Sequence, residues 1–174
     1  MYLDILILSH LRTAPVHGYE LKRKVAATVA VALNNNTLYP ALRRFEEAGA
    51  VRKTAVQQEG RPPRHVYELT DVGRELLHDL VAELPAELAD NDAEFLTRLG
   101  MFDELTPAER QGVLSSRDRA LAARERHLRE QAERAAGSAH NQKWGALVTA
   151  ELVERAGRER AWIAELTRRA GDRR

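Results

Sequence analysis

The sequence predicts a mainly helical chain in two parts, with one small β-hairpin inside the first. Three observations predict it. A short helix with marked ends runs from Thr37 to Ala48. Two strand-like runs follow directly, Val51–Val56 and Arg64–Thr70, joined by a polar Gly/Pro tip. Beyond Thr106 the chain reads as two long helices with a thin apolar stripe.

The first element is residues 2–11, apolar nearly all round, as a buried helix is. Ala14-Pro15 ends it. A second helix is expected to begin at His17, with Tyr19 or Leu21 and Val25 inward and Lys22, Arg23 and Lys24 towards solvent. Residues 26–33 follow as a small, apolar connection.

The third helix has the clearest signals. Asn34, Asn35, Asn36 and Thr37 offer side-chain acceptors to the free N–H groups of a first turn. Pro40 fixes the start within the few residues before it, because proline is tolerated only near a helix start. Gly49 is a C-terminal stop. At about 100° per residue, Leu38, Ala41, Leu42, Phe45 and Ala48 share one face, and Tyr39, Pro40, Arg43 and Glu47 share the other. The N-terminal half of the outer face carries amides, Thr37, Tyr39, Arg43 and Arg44, while the acids Glu46 and Glu47 come last. An element that reads DNA inserts its N-terminal half into the major groove, where phosphate repels acids. A capped helix with an ordinary solvated face reads the same way until its neighbours are considered.

The neighbours are the hairpin and its tip. Both strand-like runs alternate and are rich in β-branched or aromatic residues. The tip carries Arg61 and Arg64, stiffened by Pro62 and Pro63. A helix followed at once by a hairpin with a basic tip is the plan of a winged helix-turn-helix. There the helix enters the major groove and the wing touches phosphate or minor groove.

Thr70 is an N-cap and Asp71 suits the first turn of a fourth helix, which carries Leu76, Leu77, Leu80 and Leu84 up to Pro85. Residues 86–102 are expected to resume helically with Leu88, Phe95, Leu96, Leu99 and Phe102. Thr106-Pro107-Ala108-Glu109 is a capping box opening a helix to about Ala136. Leu114, Leu121 and Leu128 recur every seven residues amid charge, too narrow a stripe for a long coiled coil. A hairpin is therefore expected, turning at Gly137-Ser138 into a last helix from about Gln142 to Arg169, with an Arg-rich tail over residues 168–174. The expected domains are 1–82, 83–105 and 106–174. Two helices cannot cover Trp144 and Trp162 by themselves, so a second subunit is the economical completion, joined through the C-terminal helices and the N-terminal one.

Charge and composition narrow the function. The chain has 174 residues and a net charge of only +1, but the charge is unevenly placed. Residues 1–70 hold ten Lys/Arg against six acids, and residues 83–104 hold seven acids and the single base Arg98. The phosphate-facing surface therefore belongs to the first part. There is no Cys, hence no disulfide and no thiol metal site, as suits a cytoplasmic chain. No apolar run nears the ~20 residues that span a bilayer, and no basic region precedes the first helix, so neither membrane span nor signal peptide is expected. The six histidines lack metal-ligand spacing, and no phosphate loop or nucleophile motif is present. Neither an enzyme nor a bound cofactor is expected.

Three segments resemble the PadR family of bacterial transcriptional regulators, in the family's order and spacing. They are His17-Gly18-Tyr19-Glu20-Leu21, Thr37-Leu38-Tyr39-Pro40-Ala41-Leu42-Arg43-Arg44, and Gly60-Arg61-Pro62-Pro63-Arg64 running into Tyr67-Glu68-Leu69-Thr70. They cover roughly the first 80 residues; the rest resembles the helical dimerisation domain of longer members more loosely. The apolar stretch 26–33 departs from the polar or Gly-containing connection of many members. The resemblance implies a homodimeric repressor of double-stranded DNA, relieved by a small ligand. The residues expected on DNA are Lys22, Asn35, Asn36, Thr37, Tyr39, Pro40, Arg43, Arg44, Arg61 and Arg64. Phe95, Trp144 and Trp162 are the aromatics that suit a small aromatic effector. A winged-helix assembly module that binds protein rather than DNA is the alternative.

Overall fold

The structure is a computed structural model, and it describes residues 1–29, 35–58, 61–136 and 143–170. The chain divides into two compact units, Met1–Val81 and Ala82–Arg174.

The first unit holds helices α1 (Tyr2–Arg12), α2 (Gly18–Val29), α3 (Asn35–Glu47) and α4 (from Asp71 to Ala82), with strands β1 (Val16–His17), β2 (Val51–Gln58) and β3 (Arg61–Leu69). The strands form one antiparallel sheet in the order β1-β3-β2. The third strand corrects the expectation that His17 opens α2. Val16 and His17 pair with Tyr67 and Val66, and the helix begins at Gly18. Two residues are too few to show an alternating pattern, so only the presence of β3 as a partner makes them a strand. Ala26–Val29, read as connection, continue α2; residues 30–34, including the capping Asn34, lie outside the described residues.

The core follows the apolar pattern. Ile5, Leu6, Ile7, Leu8 and Leu11 of α1 are buried, as are Leu21 and Val25 of α2 and Leu38, Ala41, Leu42 and Phe45 of α3. Each large side chain so buried contributes about 1.5–3 kcal/mol. Because α1 is covered inside its own unit, its apolar run does not by itself require a second subunit.

The helix α3 starts two residues earlier than the cap signals suggest, so Asn36 and Thr37 lie inside it and Pro40 is its sixth residue. Its end is a left-handed glycine cap. Gly49 has φ 71°, its N–H donates to the Glu46 carbonyl at 3.0 Å, and the Ala50 N–H donates to the Phe45 carbonyl at 2.8 Å. Together these are the two bonds of a Schellman motif. Ala48, expected inward, belongs to this turn and is exposed. The Thr70 hydroxyl then does two things: it donates to the Gly49 carbonyl at 2.7 Å and accepts from the Gly73 N–H at 3.1 Å. One residue thus ties the end of α3 to the start of α4.

In the second unit, the segment expected to be one helix over residues 86–102 is broken into a 3-10 turn (Ala86–Leu88), α5 (Asp92–Leu99) and a second 3-10 turn (Phe102–Glu104). Asn91 causes the first break, since its side chain caps α5 by accepting from the Ala93 and Glu94 N–H groups. The long helices are α6 (Pro107–Ala136) and α7 (Lys143–Ala170). The capping box forms: the Thr106 N–H donates to Glu109 Oε2 at 2.7 Å, and the Glu109 N–H donates to Thr106 Oγ1 at 3.3 Å. Arg117 of α6 pairs with Glu159 of α7, and further along α6 Leu121 and Arg124 lie beside the earlier α7 residues Leu152, Arg155 and Ala156, so the helices run antiparallel side by side. The connecting Gly137-Ser138, Gln142 and the tail residues 171–174 lie outside the described residues. The helix α7 runs to Ala170, one residue past its expected end at Arg169, so Arg168 and Arg169 belong to it and not to the tail.

Candidate nucleic-acid interface

The α3 helix presents the outer face that its spacing promised. Leu38, Leu42 and Phe45 anchor it, and Asn36, Pro40 and Arg43 are exposed opposite. Arg43 has no ion-pair partner among the described residues, so its guanidinium is available to a ligand. Thr37 is half-buried, and the Asn35 side chain lies outside the described part. Arg44 is differently placed from Arg43. It donates to Asp4 of α1 at 2.6 Å, and its guanidinium lies 5.1 Å from the Phe45 ring centroid. It bridges the helix to α1 and must leave Asp4 to reach DNA.

Tyr39 is 38% exposed, because its ring leans towards the start of α2. A Cβ placed on Gly18 would lie 3.3 Å from Tyr39 Cε1 and 3.2 Å from Tyr67 Cε2. The bare glycine lets both rings close on the backbone. The result is a cleft of about 490 Å³ whose wall is formed by Tyr19, Tyr39 and Tyr67. Burial first, then the neighbouring Tyr39 and Glu46, pushes the Tyr67 hydroxyl above its ordinary range, so it stays a neutral donor.

The cleft also collects charge from two elements. Arg23 comes from α2, Arg64 from β3, and Glu20 is the only acid among the described lining residues. Glu20 is already engaged by Lys24 at 3.0 Å. His17 and His65 complete the rim. Lys22, the α2 base expected on DNA, is half-buried and outside this cleft; Arg23 takes its place there. Sequence reasoning placed no site at His17, Tyr19 or His65. The His17-Gly18-Tyr19 segment was the available signal, but its meaning depends on the contact of Gly18 with two rings far along the chain.

The wing has regular pairing from Val51↔Leu69 to Val56↔Arg64, then an irregularity before Gln58↔Arg61. Arg52 and Glu68 face each other across it and pair at 2.8 Å. Arg64 is exposed near the tip. The Arg61 side chain, with Glu59 and Gly60, lies outside the described part.

The three candidate effector residues fall in the second unit and do not converge. Phe95 is fully buried and meets Trp162 edge-on at 6.2 Å between centroids. Trp144 is 77% exposed, and eighteen positions from Trp162 on one helix corresponds to roughly 27 Å.

Comparison with known proteins returns one family. The model of the transcriptional regulator PadR-like family matches residues 7–79. A PadR family transcriptional regulator from Eggerthella lenta is 36% identical, over 46% of this chain and 69% of its own, with a TM-score of 0.42. A PadR-like transcription factor from Bacteroides fragilis is 28% identical, over 46% and 77%, with a TM-score of 0.43. Bacillus subtilis PadR, solved in complex with operator DNA, is 20% identical over 98% of this chain and 99% of its own, with a TM-score of 0.44. None of the curated proteins compared matches the chain. With the family's motifs in the first unit and 36% identity over more than two thirds of the Eggerthella regulator, the chain belongs to the PadR-like family of transcriptional regulators.

Proposed function

We propose that the chain is a repressor that binds a pseudo-palindromic DNA operator as a homodimer in the cytoplasm and leaves it when a small aromatic effector binds. The observation that carries the DNA reading is the outer face of α3. Arg43 stands exposed and unpaired among the described residues, beside Tyr39 and Asn36, on a helix locked at its C-terminal end. Arg64 of the wing is exposed at the cleft that Tyr39 lines.

The dimer reading is supported by α7. Trp144, Leu147 and Val148 are 77%, 52% and 60% exposed and lie within about one turn of each other. A two-fold dimer carries two copies of α3, so the operator should be pseudo-palindromic, with half-sites about one helical turn apart. The Phe95–Trp162 pair supports the effector reading, with Trp144 contributing only if it comes from elsewhere in the dimer. No helix among the described residues is long and apolar enough to cross a membrane.

A gel-shift on genomic fragments at two salt concentrations tests the reading. Binding that weakens steeply with salt is expected. Changing Arg61 and Arg64 together to Ala should weaken binding to all sequences and flatten the salt slope. An unchanged slope would remove the wing from the interface. Absence of any DNA affinity would leave the protein-assembly reading in its place.

A further inference from the structure

Gly18 opens α2, and its backbone does not ask for glycine. Gly49 is the glycine with a positive φ among the described residues, and alanine suits a helix better than glycine does. What glycine supplies at position 18 is therefore space. A Cβ there would lie 3.2 Å from Tyr67 Cε2, 3.3 Å from Tyr39 Cε1 and 3.4 Å from Tyr39 Oη. Two rings from distant parts of the chain rest on this one bare position.

Two of the three partners are fixed. Tyr67 lies on β3, the central strand, opposite Val16 on one side and Lys53 on the other, and is 5% exposed. Gly18 directly follows His17, which pairs with Val66 of the same strand. Tyr39 is 38% exposed, so it is the partner that yields when the space changes. Its helix is tied at the far end, where the Thr70 hydroxyl donates to the Gly49 carbonyl. Burial of Leu38, Leu42 and Phe45 chooses the inward face of α3, but a hydrophobic contact has no direction of its own. The ring seated on Gly18 sets how closely the first half of α3 stands to α2. At about 100° per residue, Tyr39 flanks the exposed stripe that carries Asn36 and Arg43.

We infer that Tyr39 serves DNA reading as a positioning residue: its ring, seated on Gly18 beside Tyr67, braces α3 against the start of α2 and fixes where Asn36 and Arg43 meet the base edges. The ring does this, and the hydroxyl is not needed. A Cβ at position 18 displaces the ring by a few tenths of an ångström. Hydrogen bonds to base edges weaken with misalignment, whereas phosphate contacts carry no sequence information. Loss of the brace therefore costs discrimination and spares general affinity. The inference rests on the DNA-binding reading above and gives Gly18 a role that the reading does not contain.

For the test, the wild-type chain selects its preferred duplex from a random-sequence pool. The affinity of each variant for that duplex is then divided by its affinity for a duplex of mixed sequence. Tyr39→Phe keeps the ring and should keep the ratio. Tyr39→Ala and Gly18→Ala should each lower the ratio by about tenfold. The salt slope on the mixed duplex should stay that of the wild type, because phosphate contacts are untouched. With the ring already gone, adding Gly18→Ala to Tyr39→Ala should lower the ratio little further. A Tyr39→Phe protein that loses the ratio as Tyr39→Ala does overturns the inference, because the hydroxyl then reads DNA itself. A ratio that survives in Tyr39→Ala overturns it too, as does a Gly18→Ala effect that persists in full without the ring. Melting curves check that each variant is folded. Should Gly18→Ala unfold, the Phe and Ala variants at position 39 decide between these outcomes alone. If the wild type enriches no sequence and binds no duplex in low salt, it is the DNA-binding reading that fails, and the brace falls with it.

Discussion

Arg43 and Phe45 sit two positions apart on α3 and do opposite work. Arg43 is exposed without an ion-pair partner among the described residues, and Phe45 is 4% exposed. Arg43→Ala should change stability by within about 0.5 kcal/mol yet lose affinity, by about 1–3 kcal/mol if its guanidinium reads a guanine edge. Phe45→Ala should cost about 3–5 kcal/mol of folding stability. A melting curve and a binding isotherm for each variant separate the two. Normal operator binding by a folded Arg43→Ala protein would exclude α3 as the reading element. His10 is the second informative residue. It contacts Thr28 Oγ1 of α2 at 3.1 Å, and burial first, then Lys24, holds its pKa below the ordinary imidazole value. The unfolded chain therefore takes up the proton more readily than the folded one. The His10 contribution is complete above the ordinary value of about 6.5 and is lost as pH falls from there through the lowered folded value. Urea unfolding of wild type and His10→Gln should show the wild type losing stability relative to the variant over that window. A difference that stays constant with pH would mean the contact does not bias protonation.

At the scale of elements, two glycines in helices should respond oppositely. A Cβ on Gly73 would lie 2.1 Å from the Ala50 carbonyl oxygen and 2.6 Å from Leu69 Cδ1, so α4 packs directly onto the ends of β2 and β3. Gly73→Ala must push α4 away and should cost at least about 1–3 kcal/mol. Gly157 sits inside α7, where an added Cβ would meet nothing within 4 Å among the described residues. Gly157→Ala should raise the thermal midpoint, because alanine is favoured over glycine in a helix interior by about 1 kcal/mol. A loss of stability there would show that a second copy packs closely on that stretch of α7. The elements most legible in the sequence were those whose ends are coded locally. Gly49 at the end of α3, Thr70 at the start of α4 and Thr106 with Glu109 at the start of α6 each satisfy backbone groups within a few residues of themselves. The segment after Pro85 was misread because its apolar spacing continues across Asn91, and the cap there outweighs the spacing.

For the whole molecule, Trp144, Leu147 and Val148 form an exposed apolar stretch of α7. Replacing Trp144 and Leu147 with Glu should leave each chain folded, since both are exposed within it. It should convert the proposed dimer to a monomer in light scattering, and operator affinity should fall with the loss of the second half-site. A wild-type monomer at micromolar concentration would refute the dimer itself.

The sequence by itself determined the helices with their stop signals, the basic hairpin, and the excess of positive charge in the first unit. All of these depend on residues close together in the chain, where capping, alternation and helical spacing act without help. Only the tertiary structure decided that Val16–His17 form a strand, that Arg44 is spent on Asp4 while Arg43 is not, and that Gly18 brings Tyr39 and Tyr67 together over a cationic cleft. It also decided that Phe95 meets Trp162 but not Trp144. The physical reason is common to all four. A strand pair, an ion pair or a ring contact between distant positions has no local pattern, because its energy exists only once the backbone has brought the two partners within reach.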